Sequence, residues 1–178
     1  MLSRKLFVYF SGFCFHNEEV LFESFLIKRG IYDICGFSFG AQKAMDLAYQ
    51  RIRECLRVNR LILLSPAIFQ NKSQAYKKLQ INAFKKDPKS YVENFLRIAG
   101  VDEKIMPYTR LGNLSELEEL LEYVWEGSIL REVINHGVEI EIYLGGKDKI
   151  IDSSYALDFF APYGRICLIK SANHCLKF

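Results

Sequence analysis

Short apolar runs alternate with longer stretches of helical periodicity along most of the chain, and this alternation predicts the fold class. The apolar runs have the length of buried strands, and the stretches between them carry apolar residues at helical spacing. We predict strands at 5–10, 31–35, 60–64, 138–144 and 165–170, and helices at 18–29, 41–55 and 153–161. Strands that alternate with helices form βαβ units, so the pattern predicts an α/β protein with a mostly parallel sheet of about five strands. The pattern leaves the order of these strands open.

The alternation stops between residues 69 and 136, where every periodic pattern is helical. Asp87 followed by Pro88 is typical of a helix N-cap and a first helical residue. Ser115 and Glu118 have the spacing of a capping box that opens a further helix. We therefore predict that residues 69–136 form a helical lid inserted in the domain, and the alternative is a helical subdomain that only packs.

The composition is that of a single globular domain over residues 1–178. Half of the residues are hydrophobic, and a net charge of +3 gives no indication of nucleic-acid binding. Five cysteines without a CxxC pair do not suggest a disulfide framework, and they favour a reducing, cytoplasmic location. The apolar run at 6–10 is short for a signal peptide, and no run approaches the roughly 20 residues that span a membrane. The oligomeric state is left open.

The most specific motif is Gly-x-Ser-x-Gly at residues 36–40, between a predicted strand and a predicted helix. A serine on such a turn is the nucleophile elbow of the α/β-hydrolases. The tight turn leaves little room for side chains two residues before and after the serine, and its strain exposes the hydroxyl. We therefore predict Ser38 as a nucleophile, and a glycine-rich turn with an idle serine is the alternative.

A serine nucleophile needs a base and an acid, which follow it in the order acid then histidine in this fold class. His174 comes after the last predicted strand, and Asp148 directly follows the strand at 138–144. We predict Asp148 as the acid and His174 as the base. Asp152 and Asp158 are the competing acids, although Asp152 could simply cap the following helix. Asp148 could also be an Asx-turn residue that only holds its loop.

The two other histidines have ordinary structural interpretations. His16 precedes a predicted N-cap at Asn17, and His136 lies at the end of a helix, where its partial positive charge suits the helix dipole. Neither has the spacing of a metal ligand. We predict no metal and no cofactor.

Acyl transfer also needs two hydrogen-bond donors for the developing oxyanion. One donor should be the backbone N–H of Phe39, the residue after the nucleophile. The second should come from the loop after the first strand, where Gly12 permits close backbone approach. We predict the N–H of Phe13 as this second donor, with Cys14 as the alternative.

With these residues in place, the chain resembles a compact α/β-hydrolase and, more narrowly, the pimeloyl-acyl-carrier-protein methyl ester esterases of biotin synthesis. The resemblance rests on the opening Phe-Ser-Gly-Phe at 10–13, the elbow at 36–41, the helical lid, Gly-Gly-Lys-Asp at 145–148 and Asn173-His174. The chain departs from larger relatives in lacking their leading strands and the His-Gly-x-Gly form of the oxyanion loop. The resemblance implies that Ser38 attacks the methyl ester carbonyl, that methanol leaves, and that water then releases pimeloyl carrier protein. It also implies an acidic acyl carrier protein as partner.

The charge of the lid segment agrees with such a partner. Basic residues outnumber acidic ones between 70 and 100, and a basic surface would steer an acidic protein. The predicted docking residues are Lys77, Lys78, Lys85, Lys86 and Arg97. The alternative for any one of them is an ordinary solvated helix face.

Two alternatives to this function remain open at this point. A general short-chain carboxylesterase or a thioesterase would use the same triad, because pocket shape selects the leaving group. A non-catalytic binding protein could keep the fold. Aromatic residues of the loops and the lid could line an acyl channel, although they also fit an ordinary core. This predicted acyl-channel set consists of Phe13, Phe37, Phe39, Phe84, Tyr91, Phe95 and Trp125.

Overall fold

The computed structural model describes residues 7–27 and 29–178, and the described strands form one fully parallel sheet in the sequential order β1-β2-β3-β4-β5. The strands are β1 (Val8–Phe10), β2 (Ile34–Phe37), β3 (Arg60–Leu64), β4 (Glu139–Gly145) and β5 (Arg165–Ile169). The α-helices are α1 (Phe39–Arg53), α2 (Gln74–Lys86), α3 (Pro88–Ala99), α4 (Leu114–Glu122), α5 (Gly127–Asn135) and α6 (Ser153–Phe160). Two 3₁₀ helices span Glu18–Phe25 and Met106–Tyr108. The predicted α/β class and five-stranded parallel sheet are confirmed.

The strand register aligns the carboxyl ends of the sheet. Phe37 of β2 pairs with Leu64 of β3, which pairs with Tyr143 of β4, which pairs with Cys167 of β5. The loops after these strands therefore emerge at one edge of the sheet, which is where ligands bind in open α/β folds. The central strands β2 and β3 are almost completely buried, as parallel strands covered on both faces are.

Several predicted boundaries differ from the structure. The predicted residues 5 and 6 of the first strand, and Lys28 at the predicted end of the first helix, lie outside the described residues. The second strand begins at Ile34 because the Asp33 carboxylate accepts the Gly30 N–H and closes a turn just before it. The capping box of α4 consists of Asn113 and Glu116, two residues before the predicted pair.

The predicted first helix is wrong in type and length. Residues 18–25 form a 3₁₀ helix, and the Leu26 N–H bonds back to Glu23. Asn17 occupies the N-cap position in the left-handed region but makes no side-chain cap. Its amide lies against the His16 ring instead, at 3.2 Å.

The two faces of the sheet are covered differently. Helix α1 packs on β1 to β3, α6 packs on β4 and β5, and α5 packs on α1. Side chains alternate along β2, so Phe37 points away from α1. There it meets the Phe22 ring of the first 3₁₀ helix, with centroids 4.9 Å apart. The short 3₁₀ helix therefore covers the second face beneath the loops at the carboxyl edge.

The segment from 69 to 136 contains four α-helices and the second 3₁₀ helix. Asp87 caps α3 through the Ser90 N–H, with Pro88 at the first turn, as predicted. Helix α2 packs on both α3 and α4, whereas α5 lies against α1, with the Tyr49 hydroxyl donating to Glu132 at 3.3 Å. The role of the segment as a lid stays a prediction. No helix in the described parts of the chain combines the length and apolar character needed to cross a membrane.

Candidate active site

Ser38 sits on a strained turn between β2 and α1. Its backbone has φ 53° and ψ −114°, a region that non-glycine residues rarely adopt. A Cβ atom at Gly36 would overlap the Gly40 carbonyl, and one at Gly40 would overlap the carbonyl of Phe10 in β1. Both glycines of the motif are thus required by close backbone contacts, and the turn has the geometry of a nucleophile elbow.

The structure brings Ser38, His174 and Asp148 into one hydrogen-bonded chain. The Nε2 atom of His174 lies 2.9 Å from Ser38 Oγ, and its Nδ1 atom lies 2.6 Å from Asp148 Oδ2. Because an ionised carboxylate only accepts, Nδ1 carries the proton and Nε2 is free to accept from the serine hydroxyl. His174 is fully buried and Ser38 is 2% exposed, so these hydrogen-bonded side chains are shielded from water.

The second carboxylate oxygen of Asp148 also makes hydrogen bonds. Its Oδ1 accepts from the N–H groups of Ile150 and Ile151, at 2.7 and 3.1 Å. The carboxylate therefore orders its own loop and binds His174 at the same time, which combines the two interpretations of this residue. Asp152 instead caps α6 by accepting the Tyr155 N–H, and Asp158 is exposed on α6.

A buried serine that the sequence analysis missed fixes the histidine loop. Ser65 follows β3 with φ 41°, and its hydroxyl donates to the His174 carbonyl at 2.7 Å. The neighbouring Asn173 side chain donates to the Gly100 carbonyl at 3.2 Å, at the end of α3. The only sequence signal for Ser65 was a polar residue at the carboxyl end of a buried strand.

The predicted oxyanion donors have free backbone N–H groups. Phe39 is the first residue of α1, where an N–H has no intrahelical partner. In the described part of the chain, the N–H groups of Phe13 and Cys14 make no hydrogen bond. Burial raises the pKa of the Cys14 thiol to about 12, so this side chain stays neutral. The choice between Phe13 and Cys14 stays a prediction.

The oxyanion loop, residues 11–16, is bonded to the lid segment. Phe15 and Thr109 form an antiparallel bridge, and the His16 N–H donates to the Tyr108 carbonyl at 2.9 Å. Arg110 adds two bonds, from its N–H to the Cys14 carbonyl at 2.8 Å and from Nε to the Phe15 carbonyl at 3.0 Å. The loop therefore depends on the position of residues 108–110.

A cavity of about 190 Å³ lies between this loop, the loop after β4 and helices α2 to α4. Phe13 of the oxyanion loop and Ile150 of the loop that carries Asp148 (the acid loop) both line it, so it adjoins the hydrogen-bonded triad of Ser38, His174 and Asp148. Its polar groups include the side chains of Tyr76, Gln80 and Asn94. The lining residues are Phe13, Phe69, Tyr76, Gln80, Tyr91, Asn94, Phe95, Ile98, Leu117, Leu120, Leu121, Lys149 and Ile150.

Part of the predicted acyl-channel set lines this cavity and part belongs to the core. Phe13, Tyr91 and Phe95 line it. Trp125 is buried elsewhere, with its indole N–H donating to the Ala67 carbonyl at 2.8 Å. The ring of Phe37 packs among Phe15, Phe22 and His174.

The predicted docking residues differ in exposure. Lys77 is 5% exposed and its ammonium lies 3.3 Å from Glu122, so the expectation that it presents a charge at the surface is wrong. Lys77 is buried because it lies on the face of α2 that packs toward α4. The exposed members of the set are Lys78, Lys85, Lys86 and Arg97. Lys85 lies 3.6 Å from Glu118.

The two remaining histidines lie outside the catalytic chain. The Nδ1 atom of His136 lies 2.8 Å from the Glu132 carbonyl at the end of α5, as a C-cap residue would. Within the described residues, no group of three His, Cys, Asp or Glu side chains has a metal-binding arrangement.

Known proteins resemble this chain in fold, with little sequence identity. No protein-family model matches the chain, and no curated protein matches it by sequence. Among solved structures, a hydrolase from Oleispira antarctica, olei00960, superposes with a TM-score of 0.68 at 13% identity, covering 95% of this chain and 84% of that one. A lipase-esterase related protein from Clostridium acetobutylicum gives 0.65 at 10% identity, covering 95% and 87%. BioG from Haemophilus influenzae gives 0.58 at 12% identity, covering 94% and 87%.

These similarities agree with the elbow, the parallel sheet and the order of the loops. The chain has a reduced α/β-hydrolase fold, and the resemblance predicted from the sequence is confirmed at the level of the fold.

Proposed function

We propose that the protein is a serine carboxylesterase that works through an acyl-enzyme. The observation that carries this proposal is the buried hydrogen-bonded chain from Ser38 through His174 to Asp148. A hydroxyl, an imidazole with a fixed tautomer and a carboxylate in this order form the arrangement that activates a serine for acyl transfer.

In the first half of the reaction, His174 Nε2 takes the proton of Ser38 as Oγ attacks the ester carbonyl. The N–H groups of Phe13 and Phe39 stabilise the oxyanion, and Asp148 stabilises the imidazolium. The imidazolium then protonates the leaving alcohol. In the second half, His174 deprotonates a water molecule, which attacks the acyl-enzyme. The imidazolium then protonates Ser38 Oγ as the bond to the acyl group breaks and the acid is released.

We infer that the substrate is the methyl ester of a pimeloyl group on acyl carrier protein, as in biotin precursor synthesis. The sequence resembles the esterases that hydrolyse this methyl ester, and BioG from Haemophilus influenzae is among the structural neighbours. The cavity beside the triad is bordered by helices α2 to α4, and its lining combines apolar side chains with the polar groups of Tyr76, Gln80 and Asn94. Exposed lysines on α2 offer a basic surface for an acidic carrier.

The direct test combines the nucleophile and the substrate. Wild-type protein and a Ser38→Ala variant are incubated with pimeloyl carrier protein methyl ester, and the products are measured by intact mass. Loss of one methylene mass with the wild type alone would support both the esterase and its nucleophile. Turnover of short aryl esters without turnover of the carrier substrate would favour a general short-chain esterase. Full activity of Ser38→Ala would contradict the mechanism.

The carrier surface has its own test. A double reversal of Lys78 and Lys86 to Glu should raise KM for the carrier substrate by about tenfold and leave kcat/KM for a small soluble ester unchanged. The matched control reverses two exposed arginines, Arg53 at the C-terminal end of α1 and Arg57 in the loop that follows it. Equal effects of the two double variants, or an equal loss on both substrates, would contradict docking through α2.

A further inference from the structure

Glu18 is a fully buried carboxylic acid outside the triad, at the start of the first 3₁₀ helix. Its Oε1 accepts the N–H of Gly12 at 2.8 Å and the hydroxyl of Tyr9 at 3.1 Å. Its Oε2 makes no hydrogen bond to any described residue. Burying a carboxyl group so incompletely paired is costly, and an apolar residue would fill the same space at lower cost. The position of this acid therefore needs an explanation.

The partner of Glu18 is the glycine that precedes the predicted oxyanion donor. A glycine has few steric preferences, so its neighbours must define the two peptide planes that meet at Gly12. The plane before it is held by the bond from the Gly12 N–H to Glu18. The plane after it is held by the Phe15 N–H, which donates to the Gly12 carbonyl at 3.1 Å. In a trans peptide this second bond directs the Phe13 N–H to the opposite side.

We propose that Glu18 is a positioning residue for the oxyanion hole, which it serves by anchoring the Gly12 N–H and thereby fixing the direction of the Phe13 N–H. The proposal rests on the esterase function proposed above. Without the anchor, rotation about the bonds of Gly12 would move the donor away from the oxyanion that forms on Ser38. Because transition-state donors must be held in place before the reaction, the loss should appear in kcat more than in KM.

The proposed anchor needs a hydrogen-bond acceptor at Glu18, and it does not need a negative charge on that side chain. Burial raises the pKa of the Glu18 carboxyl group, while hydrogen bonds such as that from the Gly12 N–H act to lower it. A neutral carboxyl group still accepts the Gly12 N–H, and a negative charge beside the hole would oppose the developing oxyanion. A glutamine at this position offers the same acceptor atom without the charge.

The test compares Glu18→Gln with Glu18→Met, which has a similar size and no oxygen acceptor. Steady-state kinetics on p-nitrophenyl acetate give kcat and KM, and hydrogen exchange followed by NMR reports the Gly12 amide. We expect the glutamine variant to keep kcat within about threefold and the methionine variant to lose about 10- to 100-fold, with KM within about twofold. The Gly12 amide should exchange slowly in the wild type and the glutamine variant, and rapidly in the methionine variant.

The control is Tyr9→Phe, which removes the other hydrogen bond of Oε1 and should lower kcat by no more than about threefold. A methionine variant with full kcat, or an equal loss in the glutamine and methionine variants, would overturn the proposal. If the methionine variant does not fold, slow Gly12 exchange and high kcat in the glutamine variant support the proposal, and fast exchange overturns it. A wild type that hydrolyses no ester would count against the esterase function, and the Gly12 amide would then decide the anchoring alone.

Discussion

The two walls of the proposed active site are held in place by different kinds of contact. On the triad wall, Ser38 directly follows β2 and Asp148 follows β4 within a few residues, while His174 lies in the loop after β5. On the donor wall, the oxyanion loop follows β1, an edge strand of three residues. That loop is fixed by side chains that arrive from elsewhere, chiefly Glu18 and Arg110. The triad residues are thus positioned directly by strands of the sheet, whereas the donor geometry depends on hydrogen bonds with segments outside the sheet.

The largest effect is expected on the triad wall. Asp148→Asn keeps an oxygen to accept the Ile150 and Ile151 N–H groups but no longer holds His174 in the productive tautomer. We expect kcat on a soluble ester to fall by about 10⁴-fold with little change in thermal unfolding. Asp152→Asn, which alters only the cap of α6, is the matched control and should retain activity. A loss below tenfold in Asp148→Asn would place the catalytic acid elsewhere.

A smaller effect is expected when a hydrogen bond from Arg110 to the oxyanion loop is removed. Arg110→Met removes the Nε bond to the Phe15 carbonyl while the backbone bond to Cys14 remains. We expect kcat to fall by about tenfold, because the loop keeps its Glu18 anchor and loses one charge-assisted bond. Kinetics beside a measurement of thermal unfolding separate this effect from instability. Unchanged kcat in a folded variant would show that the lid segment does not support the donors.

The smallest effect is expected for Glu116, whose carboxylate accepts hydrogen bonds from Arg110. Burial acts to raise the pKa of Glu116, but hydrogen bonds from Arg110 and from the Asn113 N–H outweigh it, so the pKa is lowered. A lowered carboxyl pKa stabilises the fold above the ordinary carboxyl pKa, and this stability is lost as pH falls through the folded-state value. Glu116→Gln should therefore lower Tm slightly at pH 7, and the difference from wild type should shrink on acidification. A difference that is constant with pH would contradict a contribution from this charge.

The residues of the triad wall could be predicted from the sequence, whereas the contacts that support the donor wall could not. The elbow, the acid loop and the histidine loop are local patterns at the ends of apolar strands, so Ser38, Asp148 and His174 could be selected from spacing and chain order alone. The sheet could be predicted in class and strand number for the same reason.

The supports of the donor wall could not be predicted, because they depend on how the chain folds back on the oxyanion loop, close in sequence at Glu18 and far away at Arg110. Glu18 looked like an acidic residue in the first turn of an ordinary helix, and Arg110 lies more than ninety positions from the loop it contacts. Lys77 failed as a surface residue for a related reason. The helical pattern of α2 shows which residues share a face, and only the packing of α4 shows that this lysine is on the inside.

The bridge between Phe15 and Thr109 has a consequence for the timing of the reaction. Ser38 and His174 are buried in this conformation, and opening of the predicted lid would give a substrate access to them. Residues 108–110 are bonded to the oxyanion loop, and a shift of that segment would disturb the donors as well. An ester that meets the serine during entry would find an incomplete catalyst, and the full set of groups would assemble only around an enclosed substrate. The bridge would then act as an interlock that keeps passing esters from being cleaved.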